Sequence, residues 1–251
     1  MKIVFLTREN NVSTFLISNL IDQGIEINAV VYEQARPKNL SLLVRKMKNA
    51  FKKSVYSLID LLLAIPFVII EMRLVEKHFA KKITPFELPR HNFDDISDAN
   101  VVEIISQYKP DLIMVFGTSI IKGEILLLDT DIINIHMGKT TLYRGTKNEF
   151  WAMLHNDFEN IGATLHTLDA GIDTGRPLHF IRLFVEKIKP FYKIRIENIE
   201  NLVKELPPFL NAYQFNDTSD QVADHPKGRL YTTPTFSSRF KYFVKMLSSS
   251  L

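Results

Sequence analysis

No cysteine occurs among the 251 residues. That absence removes disulfides, thiolate metal sites and a cysteine nucleophile, and it fits a reducing compartment. Long hydrophobic runs are scarce as well. The first residues, MKIVFLTREN, hold a four-residue apolar run before Thr7 and Arg8, too short for a secretory signal, which predicts a cytoplasmic protein. The longest apolar stretch, SVYSLIDLLLAIPFVII (54–70), is interrupted by Asp60 and Pro66, whereas a membrane-spanning helix asks for about 20 apolar residues. Glycine is sparse too. The nine glycines form neither a P-loop nor a GxGxxG fingerprint, so a nucleotide site built that way is not expected.

What is present is ordinary in bulk and uneven in detail. The chain is 46% hydrophobic and 24% charged, with a net charge of +3. Between Arg36 and Ile83 stand eleven basic residues against Asp60, Glu71 and Glu76, a balance of +8, so the remainder sums to −5. Basic character therefore belongs to one segment. Rich in Leu, Lys and Arg, residues 40–83 read as a helical insertion that is buried or forms a dimer contact. A basic amphipathic element resting on a membrane surface is the lesser alternative.

Around that insertion the pattern alternates. KIVFLT (2–7) reads as a buried strand, STFLISNLIDQG (13–24) as a helix capped by Ser13 and stopped by Gly24, and INAVVYE (27–33) as a strand. The sheet pattern resumes at TPFELPR (84–90), followed by a helix over 98–109 capped by Ser97 and a strand over 111–118. A short helix precedes the strand DIINIH (131–136); a helix over 148–157 and strands over 162–169 and 178–186 follow. The expected fold is α/β, a Rossmann-like, mostly parallel sheet with helices on both faces. Its catalytic domain covers 1–190, and 191–251 form a short, partly helical C-terminal extension.

Asn134 and His136 lie two residues apart at the end of a strand, so their side chains leave on the same face. Tyr143-Arg144-Gly145 follows in the next loop, then Phe150-Trp151-Ala152 on a helix, Gly162-Ala163-Thr164 on a strand, and Gly171-Ile172-Asp173-Thr174-Gly175 in a tight loop. In that order these motifs resemble the formyltransferase family, closely over about residues 85–180 and loosely over the first 35. The family includes sugar N-formyltransferases and the catalytic domain of methionyl-tRNA formyltransferase. The resemblance implies Asn134, His136 and Asp173 as the catalytic trio and N10-formyltetrahydrofolate as the formyl donor. It places the folate against Phe116, Gly117 and Thr118 and against the loop carrying Asp169 and Gly171.

The chemistry suits those residue types. When an amine attacks a formyl carbon, charge develops on the carbonyl oxygen, and an Asn amide can donate to it. Imidazole can take the ammonium proton near neutral pH, and a carboxylate can orient the ring. No activated nucleophile or third metal ligand stands out beside the pair, so no metal is expected. His166 reads as structural, His155 as solvated and Trp151 as core, while Gly171 and Gly175 serve the turn. Lys139, Tyr143 and Arg144 are the candidates for acceptor binding.

Where relatives carry Ser-Leu-Leu-Pro after the histidine, this chain has Met137-Gly138-Lys139-Thr140-Thr141-Leu142, which bears on the acceptor. No basic stripe for RNA is evident after the core, so a nucleotide-linked amino sugar or similar small amine is the expected acceptor, with no nucleic-acid partner. A formyltetrahydrofolate hydrolase, a methionyl-tRNA formyltransferase-like enzyme and a non-catalytic binding module are the alternatives.

Overall fold

The computed structural model describes residues 1–34, 47–49, 52, 54–213 and 226–249. The chain opens with β1 (Ile3–Arg8), α1 (Asn11–Asp22) and β2 (Ile27–Glu33). Successive residues of β1 serve opposite faces. Ile3 and Phe5 enter one apolar core, Val4 and Leu6 the other, and all four are fully buried. A strand covered by helices on both sides has no reason to alternate apolar with polar residues, which is why β1 and β2 read as continuous hydrophobic runs.

The main sheet has seven strands in the order β3–β2–β1–β4–β5–β7–β8. The added strands are β3 (Arg90–Phe93), β4 (Leu112–Phe116), β5 (Asp131–His136), β7 (Gly162–Thr167) and β8 (Pro177–Arg182). The first five in spatial order run parallel, whereas β7 is antiparallel to both β5 and β8. The expected α/β sheet is the observed one. β6 (Tyr143–Gly145) and β9 (Arg229–Tyr231) make a separate two-stranded parallel sheet.

Two helical layers cover the main sheet. α3 (Ala99–Tyr108) supplies Val101 and Ile105 to one core. The other face receives α1, the end of α2 (Val55–Ala80) through Val75 and Phe79, and α5 (Phe191–Ala212) through Ile199, Leu202 and Leu206. A third cluster gathers Phe150 and Met153 of α4 (Asn148–Leu154), Ile194 of α5 and Tyr242 of α6 (Phe236–Ser248).

Several local expectations shift. Asn10, not Ser13, caps α1, its side chain accepting from Ser13 N at 2.9 Å; Ser13 instead turns its hydroxyl to Arg8 O. The strand expected over 84–90 starts only at Arg90. Pro85 and Pro89 have no N–H to give a ladder, and Pro89 contributes only its carbonyl, to Val30 N at 3.0 Å. Asp98 rather than Ser97 caps α3, because the Ser97 hydroxyl oxygen accepts from Lys122 N.

From Val55 to Ala80 the insertion is one 26-residue helix. Its earlier part falls largely outside the described residues. No helix among the described residues is long and apolar enough to cross a membrane. The described parts of 191–251 are threaded into the body, since α5 packs on the sheet, β9 pairs with β6, and α6 seats on α2 through Arg239–Glu71. β9 carries no readable period, being three residues long, whereas α6 carries one in Phe236, Phe240, Phe243 and Leu247. Because Leu202 is fully buried in the main core, Leu202→Ala is expected to lower unfolding free energy by about 2–5 kcal/mol in denaturant titration. An unchanged midpoint would show that α5 is an appendage.

Candidate active site

The carboxyl ends of β4 and β5 lie side by side, with Val115 opposite Asn134 and Phe116 opposite Ile135. In open parallel sheets this edge is where ligands bind. β7 runs back along β5 and sets His166 opposite Asn134. The following loop then folds over the end of β5 and brings Asp173 to it. That loop is tight: a Cβ on Gly175 would lie 1.6 Å from Thr167 O, so only glycine fits. Asp173 itself takes a left-handed conformation, φ 49°, which Asp tolerates better than most residues.

The three residues singled out as a trio come together around one carboxylate. Asp173 Oδ1 lies 3.0 Å from His136 Nδ1, and Asp173 Oδ2 accepts from Gly145 N at 2.8 Å. Asn134 joins through His166: its Nδ2 is 3.0 Å from His166 Nε2, which stands 4.0 Å from Asp173 Oδ1. His166 Nδ1 faces Thr167 O at 2.8 Å and therefore carries the hydrogen. His166 Nε2 is then the acceptor for one of the two Asn134 amide hydrogens.

Charge follows that geometry. Burial alone would raise the Asp173 carboxyl, but the hydrogen bond and charge of His136, then the Gly145 N–H, hold it below the ordinary carboxylate range. Burial first, and then the charge of His136, push His166 down to about 4. His166 is thus a neutral hydrogen-bonding group at physiological pH.

Asn148, the first residue of α4, also reaches the site. It is almost fully buried, and its Nδ2 donates to both His136 Nε2 and Tyr143 O. With Nδ1–H on Asp173 and Nε2 receiving from Asn148, the His136 tautomer is fixed from both sides. Gly138 makes room: a Cβ there would sit 2.5 Å from Asn148 Cβ. The unusual Met137-Gly138 sequence after the histidine therefore accompanies a side chain against the imidazole.

Phe116, Gly117 and Thr118 stand at the end of β4. The Phe116 carbonyl accepts from the Thr7 hydroxyl at 2.7 Å. Glu33 anchors the continuation of this loop: nearly fully buried, it accepts from Arg8 Nε and Ser119 N, each at 2.7 Å. Asp169 stabilises the loop that carries Asp173, its Oδ1 accepting from Gly171 N and the Thr174 hydroxyl. The three acceptor-binding candidates have protein partners. Lys139 donates to Asn160 Oδ1, Tyr143 donates to Asp157 Oδ2, and Arg144 donates to Gly228 O and Ile172 O. Through Ile172, Arg144 steadies the backbone beside Asp173. His155 is exposed but meets the Tyr143 hydroxyl at 3.3 Å, and Trp151 packs on Tyr231.

Sequence reasoning missed two members of this cluster. His166 was read as merely structural, although its alternation with Thr164 on β7 was visible. Asn148 gave no local signal, since only the tertiary fold brings α4 to β5. The expectation that no third metal ligand accompanies the pair also changes: donor atoms of His136, His166 and Asp173 all lie within 4.8 Å of one another. Here each histidine nitrogen concerned faces a hydrogen-bond partner, Asp173 for His136 and Asn134 for His166.

Acid unfolding tests the buried imidazole. An unfolded histidine binds a proton below about pH 6.5, whereas folded His166 refuses it until about pH 4. Stability is therefore lost as pH falls through that window, by roughly 1–3 kcal/mol from this group. His166→Gln should flatten that limb in denaturant midpoints measured from pH 7 to 4; an unchanged slope would contradict the burial assignment.

Comparison with known proteins agrees with the geometry. The formyl transferase family matches residues 1–190. Methionyl-tRNA formyltransferase of Chlorobium chlorochromatii (strain CaD3) is 31% identical over 107 residues, 39% of this chain and 34% of that protein. The match thus spans about a third of that relative. Among solved structures, phosphoribosylglycinamide formyltransferase from Coxiella burnetii superposes with a TM-score of 0.55 at 18% identity, covering 84% of this chain and 85% of that one. A sugar N-formyltransferase from Shewanella sp FDAARGOS_354 gives a TM-score of 0.52 at 13% identity, covering 96% and 86%. At such identities these structures speak for the fold alone. The family match over three-quarters of the chain, together with the shared sheet, identifies the protein as a member of the formyl transferase family.

Proposed function

We propose that the protein is an N-formyltransferase that moves a formyl group from N10-formyltetrahydrofolate to a primary amine, that of a nucleotide-linked amino sugar or a similar small biosynthetic amine. The observation that carries this reading is the convergence of Asn134, His136 and Asp173 at the carboxyl edge of β5, with one Asn134 amide hydrogen uncommitted. The donor set fits a formyl carbon. It offers an N–H for an oxygen gaining charge and a base pair for an ammonium losing protons, and it contains no nucleophile of its own. The loops holding Phe116–Thr118 and Asp169–Asp173 border this edge and would receive the folate.

The donor supplies a formyl group on nitrogen. As the amine nitrogen bonds to the formyl carbon, the carbonyl electron pair moves to oxygen, and Asn134 donates its free N–H there, an effect of about 3–4 kcal/mol. The ammonium proton passes to the His136–Asp173 pair. On collapse the carbon–N10 bond breaks, and N10 takes up a proton as tetrahydrofolate leaves. To accept a proton at Nε2, His136 needs the Asn148 amide to turn. Asn148 Oδ1, buried and without a hydrogen-bond partner, is the acceptor that the turned amide would present.

The small-amine acceptor is supported by the engagement of Lys139 and Arg144 by protein groups, which leaves those two cations without a free role in gripping RNA. Incubation with N10-formyltetrahydrofolate and a panel of amino-sugar nucleotides, followed by tetrahydrofolate absorbance, tests the whole reading. Formate release without amine would mean water is the acceptor, and no turnover with any amine would favour a binding module. Asn134→Ala should lower kcat about 10²–10³-fold; full activity in His136→Ala or Asp173→Ala would end the mechanism. Asn148→Ala should lower kcat about tenfold, one hydrogen bond's worth, with the KM for the donor little changed.

A further inference from the structure

Outside the active site, the largest unexplained feature is the outward face of α2. Val55, Ile59, Leu62, Leu63, Ile69 and Ile70 are all exposed, from 40% to 55%. The helical repeat of 3.6 residues sets them on the side opposite Ala64, Val75 and Phe79, which are buried. Over 55–70 that outward side carries no charge. The stretch is about 24 Å long at 1.5 Å per residue. Monomeric soluble proteins seldom expose an apolar patch this large without a partner.

The charges of α2 divide by face. Its three acids are engaged by the body of the protein: Asp60 accepts from Ser237 N and its hydroxyl, Glu71 pairs with Arg239 at 2.6 Å, and Glu76 accepts from Asn11 N. Arg73 and Lys77 instead are exposed on the outward side, one and two turns beyond Ile69 and Ile70, and Lys81 follows, also exposed. The apolar side therefore continues into exposed cations, with the one neighbouring carboxylate of α2, Glu76, turned to Asn11 N. Next to it, α6 seats its first turn on α2 through Phe236 against Phe67. It adds a second apolar stripe of Phe240, Phe243, Val244 and Leu247, each at least 48% exposed, and exposed Lys241.

We propose that this face is a docking surface for an anionic lipid membrane, with α2 lying in the plane of the interface. Apolar residues flanked by exposed cations suit lipid headgroups carrying negative charge. A second copy of the chain is the competing occupant, and the exposed cations Arg73, Lys77, Lys81 and Lys241 around the apolar side favour an anionic surface over it. α2 lies on the bilayer and does not span it: its three acids are held by the body of the protein, and no described helix is long and apolar enough to cross. This inference is independent of the reaction assigned to the active site.

Co-sedimentation of the full chain with vesicles tests it. Binding is expected to phosphatidylglycerol–phosphatidylcholine vesicles, not to phosphatidylcholine alone, and should weaken with added salt. Arg73→Gln/Lys77→Gln should reduce the partition coefficient about thirtyfold, at about 1 kcal/mol for each cation near the surface. Leu62→Ser/Ile70→Ser should also release the protein while leaving its thermal midpoint and formyl-transfer rate unchanged, since both residues are exposed. Protein that stays in the supernatant with anionic vesicles, whether light scattering finds it monomeric or dimeric, overturns the proposal, as does equal binding to neutral and anionic vesicles.

Discussion

The Asp173 carboxylate ties together parts of the chain that have no other reason to meet. One oxygen holds the His136 ring at the end of β5 and the other takes the Gly145 N–H of β6. The price of burying that carboxylate is desolvation, which would favour its neutral form; the imidazole and the backbone N–H reverse the balance. A group so placed is ionised and rigid at once. It is also held from behind. Asp169 accepts from Gly171 N and the Thr174 hydroxyl, Arg144 grips Ile172 O, and Gly175 lets the loop close against Thr167. Asp169, Arg144 and Gly175 thus act on the backbone that presents Asp173.

A second chain of polar contacts runs along β5 and β7. Neutral His166, fixed by Thr167 O, receives one Asn134 hydrogen and so orients the amide. Asn148 does the same for the far side of His136. Asn134 and His136 are thereby each held by a further residue. Fixed orientation in advance is what lets a hydrogen-bond donor act on developing charge without reorganising during the reaction. Immediately after Asn148 the environment becomes a charge network: Glu149, fully buried, pairs with Arg195 at 2.9 Å, and burial followed by the nearby Arg195 charge lowers Lys147 to about 8. This network fixes the start of α4, and with it the position of Asn148.

The same body carries two faces of different character. The carboxyl edge of the sheet is polar and tightly hydrogen-bonded, whereas the outward sides of α2 and α6 are apolar and cationic. Both depend on the last sixty residues. α5 closes the main core, Gly228 just before β9 provides the carbonyl that Arg144 grips, and Arg239 of α6 pairs with Glu71 on α2. A segment that looked separable in composition is therefore part of both the site and the insertion's footing.

The sequence alone determined the alternation of strands and helices and the pairing of Asn134 with His136 on one face. Those are local properties, written in the periods of two and 3.6 residues and in apolar runs that both faces of a parallel sheet must bury. It also carried the Asp-Thr-Gly turn, because the loop can close only on glycine at 175. Tertiary structure decided the rest. Asp173 lies 37 positions beyond His136 in the chain, and only the antiparallel return of β7 closes that gap. His166 and Asn148 acquire roles from residues across the fold, as do Lys139, Tyr143 and Arg144, whose cations and hydroxyl find partners no local pattern announces. A side chain's partner is set by where distant backbone arrives, and short-range periodicity contains no record of that.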